Sequence, residues 1–237
     1  MASFVLVHGS FHGPWCWSRI VPLLQAAGHS VAIPNLADAG DENLNSYAAL
    51  VAGAVVQAGV KVILVGHSMG GLVISQAAER VPQHISKLLY ISGLMLRDGE
   101  TLQSFLGSHA ALGVDDLVLK NMRVTEDSAL ATFPAEVAPA IFYNCCNAAD
   151  AQWASGQLRA QPTAVYATPL NLSEARFGSL PRAYVECSED RAVSVIYQRQ
   201  MLENTPCAPV YTLATDHSPF LSDIDGLMGC LLDMAVA

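Results

Sequence analysis

Charge is sparse in this chain. Only 14% of its 237 residues are charged, and Asp and Glu outnumber Lys and Arg 21 to 12. No cluster of Lys or Arg forms the basic stripe that neutralising phosphates requires, which excludes nucleic-acid binding as a function class. Long polar tracts, fixed-period repeats and low-complexity runs are absent, which excludes disorder and repeat architectures. The six cysteines, Cys16, Cys145, Cys146, Cys187, Cys207 and Cys230, form no CxxC pair, so neither a disulfide framework nor a zinc site is indicated. They read as free buried thiols packed as small hydrophobes. Met1 to Val7 enters a strand-like apolar run with no basic leader or cleavage site, and the cytoplasm is the expected compartment. From Tyr47 to Gly66 only Gln57 and Lys61 interrupt an apolar run long enough for a bilayer, yet Gly59 and the β-branched run after Lys61 divide it into a helix and a buried strand. No membrane partner is expected.

What is there is a 52% hydrophobic chain whose length suits one large domain or a domain with an insertion. Apolar runs at Phe4–Val7, Ser30–Ile33, Lys61–Val65, Lys87–Ser92, Ala183–Glu186 and Val210–Leu213 are continuous rather than alternating, the pattern of strands covered on both faces. Helical segments are expected near Trp17–Ala27, Asn45–Ala58, Met69–Arg80, Val193–Asn204 and Asp223–Val236. Gly28 is placed to stop the first, and Asn45 or Ser46 to cap the second. Strand and helix in alternation predict an α/β fold with a mainly parallel sheet and helices on both faces. Between Asp98 and Gly178 no strand is legible, whereas helical stretches and Pro134, Pro139, Pro162 and Pro169 are. A segment that long predicts an inserted, mainly helical cap (98–178) on a core formed by 1–97 and 179–237.

The chemistry centres on Gly66-His67-Ser68-Met69-Gly70-Gly71, a G-x-S-x-G between a predicted strand and a predicted helix. A nucleophile on a sharp strand-to-helix turn is backbone-strained, and small residues two before and two after it let the chains pass. The hydroxyl then stands above the strand ends, where the Met69 amide at the helix N-terminus can hold an oxyanion. A serine needs a base, and the base needs an orienting acid, in the chain order Ser, acid, His. Of seven histidines (8, 12, 29, 67, 84, 109 and 217) only His217 follows the last predicted strand on a loop. His29 and His84 read as solvated loop residues, and His67 as locked beside the serine facing away. For the acid, Glu186, Glu189 and Asp190 follow the preceding strand; Asp190, at the loop's end, is favoured over these and over Asp216, which as a sequence neighbour reaches the His217 ring poorly. The loop His8-Gly9-Ser10-Phe11-His12-Gly13-Pro14-Trp15 can supply a second oxyanion amide near Ser10, with His8 and His12 pinning it. It lacks the spacing of a phosphate loop.

Phe4-Val5-Leu6-Val7-His8-Gly9, His12-Gly13-Pro14-Trp15-Cys16-Trp17, Val21-Pro22-Leu23-Leu24, Ala27-Gly28-His29, the Ser68 motif, Phe142-Tyr143-Asn144 with Cys146, and Asp216-His217-Ser218-Pro219 resemble the plant methylesterase and hydroxynitrile lyase branch of the α/β-hydrolases, with its bacterial esterase relatives. The resemblance spans nearly the whole chain and is weakest over residues 101–140. It implies a six-stranded core, no cofactor, a triad of Ser68, Asp190 and His217, and an oxyanion hole from the amides of Ser10 and Met69. Lyases of this branch carry Thr where this chain has Gly9, and Lys where it has Ser218, which favours ester hydrolysis through an acyl-enzyme over cyanohydrin cleavage. The expected ligands are small apolar or aromatic esters, methyl esters among them; the rival function is ligand binding without turnover. Phe11, His12, Phe142 and Trp153 are the candidate substrate contacts, with Phe133, Tyr143 and Phe177 adding to an apolar cap. Members of the branch often pair, so a homodimer is an expectation.

Overall fold

Val62, Ile63, Leu64 and Val65 have no polar face to turn to water, and every residue of the strand they form is buried. Fully burying each such side chain stabilises the fold by about 1.5–3 kcal/mol. The computed structural model describes residues 1–40 and 43–236. Strand and helix alternate through β1 (Ser3–Val7), α1 (Ile20–Ala26), β2 (Ser30–Ala32), α2 (Leu44–Gln57), β3 (Val62–His67), α3 (Gly70–Arg80) and β4 (Ile85–Ile91). An excursion follows, with α4 (Leu102–Ser108), α5 (Leu117–Asn121), β5 (Arg123–Val124), β6 (Leu130–Thr132), α6 (Ala138–Ile141), α7 (Ala148–Ser155), β7 (Gln161–Pro162) and α8 (Ala164–Ala167). The chain then returns through β8 (Arg182–Cys187), α9 (Val195–Asn204), β9 (Val210–Leu213), α10 (Pro219–Ser222) and α11 (Ile224–Val236).

This is an α/β fold. Six strands form one parallel sheet in the order β2-β1-β3-β4-β8-β9. Successive side chains of a strand point to opposite faces. Val5, Val7, Leu64, Leu88 and Tyr90 accordingly pack on one face with α2, α3 and the Tyr197 and Met201 of α9. Phe4, Leu6, Ile63, Val65, Leu89 and Ile91 pack on the other with Ile20 and Leu24 of α1 and Leu227 and Leu231 of α11. The chain runs from β1 to β2 on one side and to β3 on the other, so the crevice at the carboxyl ends of β1 and β3 is the topological switch point, the usual ligand position in such sheets.

Several local expectations shift. The two edge strands, β2 and β9, are partly exposed rather than covered on both faces. The first helix is two pieces, a 3-10 turn at Pro14–Trp17 and then α1, with Pro22 in the first turn of α1 where its missing N–H is tolerated. The cap of α2 is Asn43, two residues before Asn45 and three before Ser46. Its side chain accepts from the Asn45 and Ser46 amides, and Ser46 Oγ accepts from the Asn43 amide. The excursion also holds a small antiparallel sheet, β5-β6-β7, whose strands of two or three residues are too short to leave a hydrophobic period in the sequence. The apolar run from Tyr47 to Gly66 resolves into α2 and β3, and among the described residues no helix is long and apolar enough to cross a membrane. All six cysteines are free, but Cys145 is exposed and Cys146 and Cys207 are half-buried.

Close packing at the end of β3 leaves no room for side chains. A Cβ on Gly66 would stand 2.6 Å from the Gly70 carbonyl oxygen, a backbone atom that cannot swing aside. Gly53, on the exposed side of α2, would meet nothing within 4 Å. Gly66→Ala should therefore lower the unfolding free energy by about 2–3 kcal/mol. Gly53→Ala should raise it by about 0.5–1 kcal/mol. Urea unfolding curves of the two variants, displaced in opposite directions from the wild type, check both.

Candidate active site

Because the strands are parallel and in register, β1, β3, β4, β8 and β9 deliver their following loops to one edge of the sheet: Val7 lies beside Gly66, His67 beside Ile91, Ile91 beside Val185, and Cys187 beside Leu213. Ser68 opens the turn after β3. It adopts φ +54°, a left-handed conformation that a non-glycine residue rarely takes and that costs about 1–3 kcal/mol. Backbone hydrogen bonds hold it there: its N–H donates to the Ile91 carbonyl (3.2 Å), and its carbonyl accepts from Gly71 and Leu94 (2.9 Å each). Gly70 passes under β1 so closely that a Cβ would lie 2.7 Å from the Val7 oxygen. The strand-to-helix turn expected from the motif is thus formed, and the Met69 amide sits at the N-terminus of α3.

His217 follows β9 and Asp190 follows β8, and both side chains are buried. The His217 Nδ1–H donates to Asp190 Oδ2 at 2.7 Å, which leaves Nε2 as the free ring nitrogen. Asp190 is held firmly in turn. Its Oδ1 accepts from the Ala192 and Val193 amides (2.7 and 2.8 Å), and its Oδ2 also accepts from Ser92 Oγ and from Gln198 Nε2. Ser92 and Gln198 escaped the sequence reading; a serine just past β4 and a glutamine on α9 carry no motif, and only the strand order brings them to the carboxylate. Glu186 pairs with Arg199 instead (2.9 Å), and the Glu189 side chain takes no part, although its carbonyl accepts from Asn144. Asp216 is fully buried yet turned away from the ring. It accepts from the amides of Cys145 (2.7 Å) and Ser218 (3.0 Å) and from Ser222 Oγ (2.6 Å).

Three further imidazoles lie under this edge, and their partners settle which nitrogen carries the proton. His67 does not face away: its Nε2–H donates to the His217 carbonyl at 2.8 Å, and the two rings lie 4.6 Å apart. His8 donates from Nδ1 to the Gly9 carbonyl and accepts at Nε2 from the Leu36 amide. His12 donates from Nδ1 to the Ser10 carbonyl at 2.7 Å and accepts at Nε2 from the Tyr143 hydroxyl at 3.0 Å. Burial, which disfavours the charged ring, pushes His8 down to about 4 and His12 to about 3, and holds His67 well below the usual imidazole range. His29, read as a solvated loop residue, accepts from the Ala2 amide at 3.0 Å and packs edge-on against Phe4.

A cavity of about 540 Å³ opens over the sheet edge, walled by Ser10, Phe11, Ser68, His217 and residues of the excursion. Its lining is mostly apolar, with Leu94, Leu102, Phe105, Leu106, Val118 and Met122 among the contributors; Phe142, its ring 5.7 Å from that of His217, and Tyr166 line it too. Phe11 and Phe142 therefore reach the cavity as expected, Phe11 at φ +61°. His12 and Trp153 do not line it. His12 is buried behind the wall, stacked on Trp15, and Trp153 lies 42% exposed on α7, edge-on to Trp15. Phe177 packs under the Arg182 guanidinium and does not line this cavity. Neither the Ser10 nor the Met69 amide is taken up by another hydrogen bond among the described residues. Among those residues no group of three or more His, Cys, Asp or Glu side chains is arranged to hold a metal ion.

The model of the alpha/beta hydrolase family matches residues 4–227. This chain belongs to that family. Its relatives include methylesterase 7 of Arabidopsis thaliana, 34% identical over 98% of this chain and 95% of that protein. A chloroplastic methylesterase homologue of the same plant is 32% identical over 98% of this chain, which spans 63% of that protein's length. Among solved structures, a pyrethroid hydrolase from Sphingobium faniae JZ-2 superposes with a TM-score of 0.86, at 25% identity, over 100% of this chain and 98% of that one.

The buried imidazoles tie this edge of the hydrolase fold to pH. On unfolding, His8 and His12 return toward the ordinary value of 6.5, so below that pH the unfolded chain binds protons that the folded chain refuses until about 4 and 3. Stability should therefore be level between about pH 7 and 8, below the range where unfolded thiols ionise, and should fall steadily from pH 6.5 to 5, where carboxylates remain ionised. Urea unfolding free energies across that range, with a shallower slope for His12→Gln, check the sign; a curve that stays flat to pH 5 contradicts it.

Proposed function

We propose that this chain is a serine carboxylic-ester hydrolase. The observation that carries the reading is the buried His217–Asp190 hydrogen bond, which fixes the imidazole with Nε2 free at the wall of the cavity that Ser68 also lines. In this reading Ser68 Oγ attacks the ester carbonyl while Nε2 takes its proton. Asp190 keeps Nδ1 protonated and stabilises the imidazolium that forms. The amides of Ser10 and Met69 receive the oxyanion, with the α3 N-terminus adding its positive end. The imidazolium returns its proton to the departing alcohol. A water activated by the same nitrogen then cleaves the acyl-enzyme and frees Ser68.

Residues 98–178 act as the cap of this active site, and 1–97 with 179–237 as its core. The cap excludes water and shapes the acyl and alcohol subsites. The apolar lining supports small to medium aliphatic or aromatic esters, and the methylesterase names of the relatives support methyl esters among them. Cyanohydrin cleavage fits less well. At Gly9 a Cβ would lie 2.7 Å from the Ser68 Cβ, so the threonine of the lyases has no room on this backbone, and Ser218 offers no ammonium for a cyanide leaving group.

Ser68→Ala should lower kcat on p-nitrophenyl acetate or a methyl ester by roughly 10³-fold or more and abolish labelling by a fluorophosphonate. Full labelling of that variant, or a wild type silent across a panel of acyl and alcohol groups, would overturn the reading, the silent panel in favour of a ligand-binding role.

A further inference from the structure

The residue whose amide the reaction needs most delicately placed is Ser10, because it lies on an irregular loop rather than at the end of a helix. The loop alone does not fix it. Gly9 allows many backbone paths, and Phe11 holds a left-handed φ of +61° that an unconstrained chain would leave. The Ser10 side chain and carbonyl, however, are both engaged, and both lead to the cap. The Tyr166 hydroxyl of α8 donates to Ser10 Oγ at 2.6 Å. On the other side the Ser10 carbonyl accepts from His12 Nδ1, and His12 Nε2 accepts from the Tyr143 hydroxyl, between α6 and α7. A carbonyl can only accept, so Nδ1 must carry the proton, Nε2 must be the acceptor, and the tyrosine must be the donor. Trp15 stacked on one side, with Phe142 and Phe220 edge-on, keeps the His12 ring from rotating. A third link, from the Arg159 amide to the Phe11 carbonyl (2.9 Å), closes the same loop against the cap backbone.

We propose that Tyr143 and Tyr166 are positioning residues that aim the Ser10 backbone N–H at the oxyanion, Tyr166 through Ser10 Oγ and Tyr143 through His12 and the Ser10 carbonyl. The inference rests on the ester-hydrolase reading, and it deepens that reading by making the oxyanion hole a joint product of core and cap. An amide pinned on both flanks need not reorganise as charge develops, which is where a preorganised donor gains its effect. Neither tyrosine has to touch the substrate's reacting atoms. A seated cap therefore sets the oxyanion hole, and a displaced cap unsets it.

The test compares the wild type with Tyr143→Phe, Tyr166→Phe, Ser10→Ala and the Ser10→Ala/Tyr166→Phe double variant. The readouts are kcat and KM on a p-nitrophenyl ester, the second-order rate of fluorophosphonate labelling at Ser68, and the melting temperature. Each Tyr→Phe substitution should lower kcat and the labelling rate by about tenfold, since small displacements of catalytic groups have effects of that order. KM should stay within about twofold, because the effect falls on the transition state. Tyr166→Phe should have no further effect once Ser10 Oγ is gone, a coupling that a merely structural role would not produce. Wild-type kcat in both tyrosine variants, losses confined to KM, or additive losses in the double variant overturn the inference while leaving the hydrolase reading intact. A wild type that fluorophosphonate does not label at Ser68 overturns the reading itself and the inference with it. Should Tyr143→Phe melt early, the Ser10–Tyr166 pair at the cavity wall decides alone.

Discussion

Ser68 occupies a backbone conformation that its own side chain disfavours, and most of the site follows from how the fold tolerates that. The left-handed turn is stable because β4 accepts its N–H at Ile91, the Gly71 and Leu94 amides donate to its carbonyl, and Gly66, Gly70 and Gly71 let backbones approach where any Cβ would collide. That crowding has three products. It ends β3 abruptly, so that a hydroxyl stands above the sheet edge. It starts α3 immediately, so that an unbonded amide lies next to the hydroxyl. It also brings Gly9 against Ser68, so that the loop after β1 shares a wall with the serine hydroxyl. Strain of about 1–3 kcal/mol at one residue is thus offset by a well-bonded parallel sheet behind it.

Around this turn the structure buries many polar groups and pairs most of them, although the Trp15 and Trp17 indole N–H groups, His67 Nδ1, Asn144 Oδ1 and Ser218 Oγ have no partner among the described residues. Neutral imidazoles serve as connectors, each donating at one nitrogen, and His8 and His12 also accepting at the other. Two buried carboxylates sit beside the same histidine and have divergent roles. Asp190 faces the ring and is held by five donors, whereas Asp216 faces the excursion and secures the Cys145 amide to the histidine loop. Leaving any of these groups unpaired in so dry a region would cost about 1–3 kcal/mol, so the network resists partial rearrangement. A consequence is that the excursion is not a loose flap: Tyr143, Asn144 and Cys145 each bond to a different loop of the sheet edge.

Legibility followed the range of the physics involved. The central strands of the main sheet were visible because a strand covered on both faces is largely apolar, and β1, β3, β4 and β8 carry continuous apolar stretches with polar residues mostly at their ends; those ends moved by one or two residues because ladder hydrogen bonds, not composition, set the last residue. The turn at Ser68 was visible because glycines at fixed offsets are a steric necessity. Trp153 was misplaced for the opposite reason: an indole is as comfortable half-exposed against Trp15 as inside a pocket, so its type carries no address. The small β5-β6-β7 sheet was invisible because two-residue strands have no periodicity to read.

The amino-acid sequence by itself determined the α/β alternation, the strained serine turn and the order in which serine, acid and histidine appear, since each depends on local sterics, burial or chain order. Only the tertiary structure decided which side chains hold the Asp190 carboxylate, which buried nitrogens carry protons, and which aromatic side chains wall the cavity. Those outcomes depend on pairs of residues tens to more than a hundred positions apart, such as His12 with Tyr143 and Ser92 with Asp190. Their meeting is settled by sheet order and by the cost of leaving buried polar groups unpaired, a constraint that acts on the whole packed molecule and leaves no trace at either residue alone.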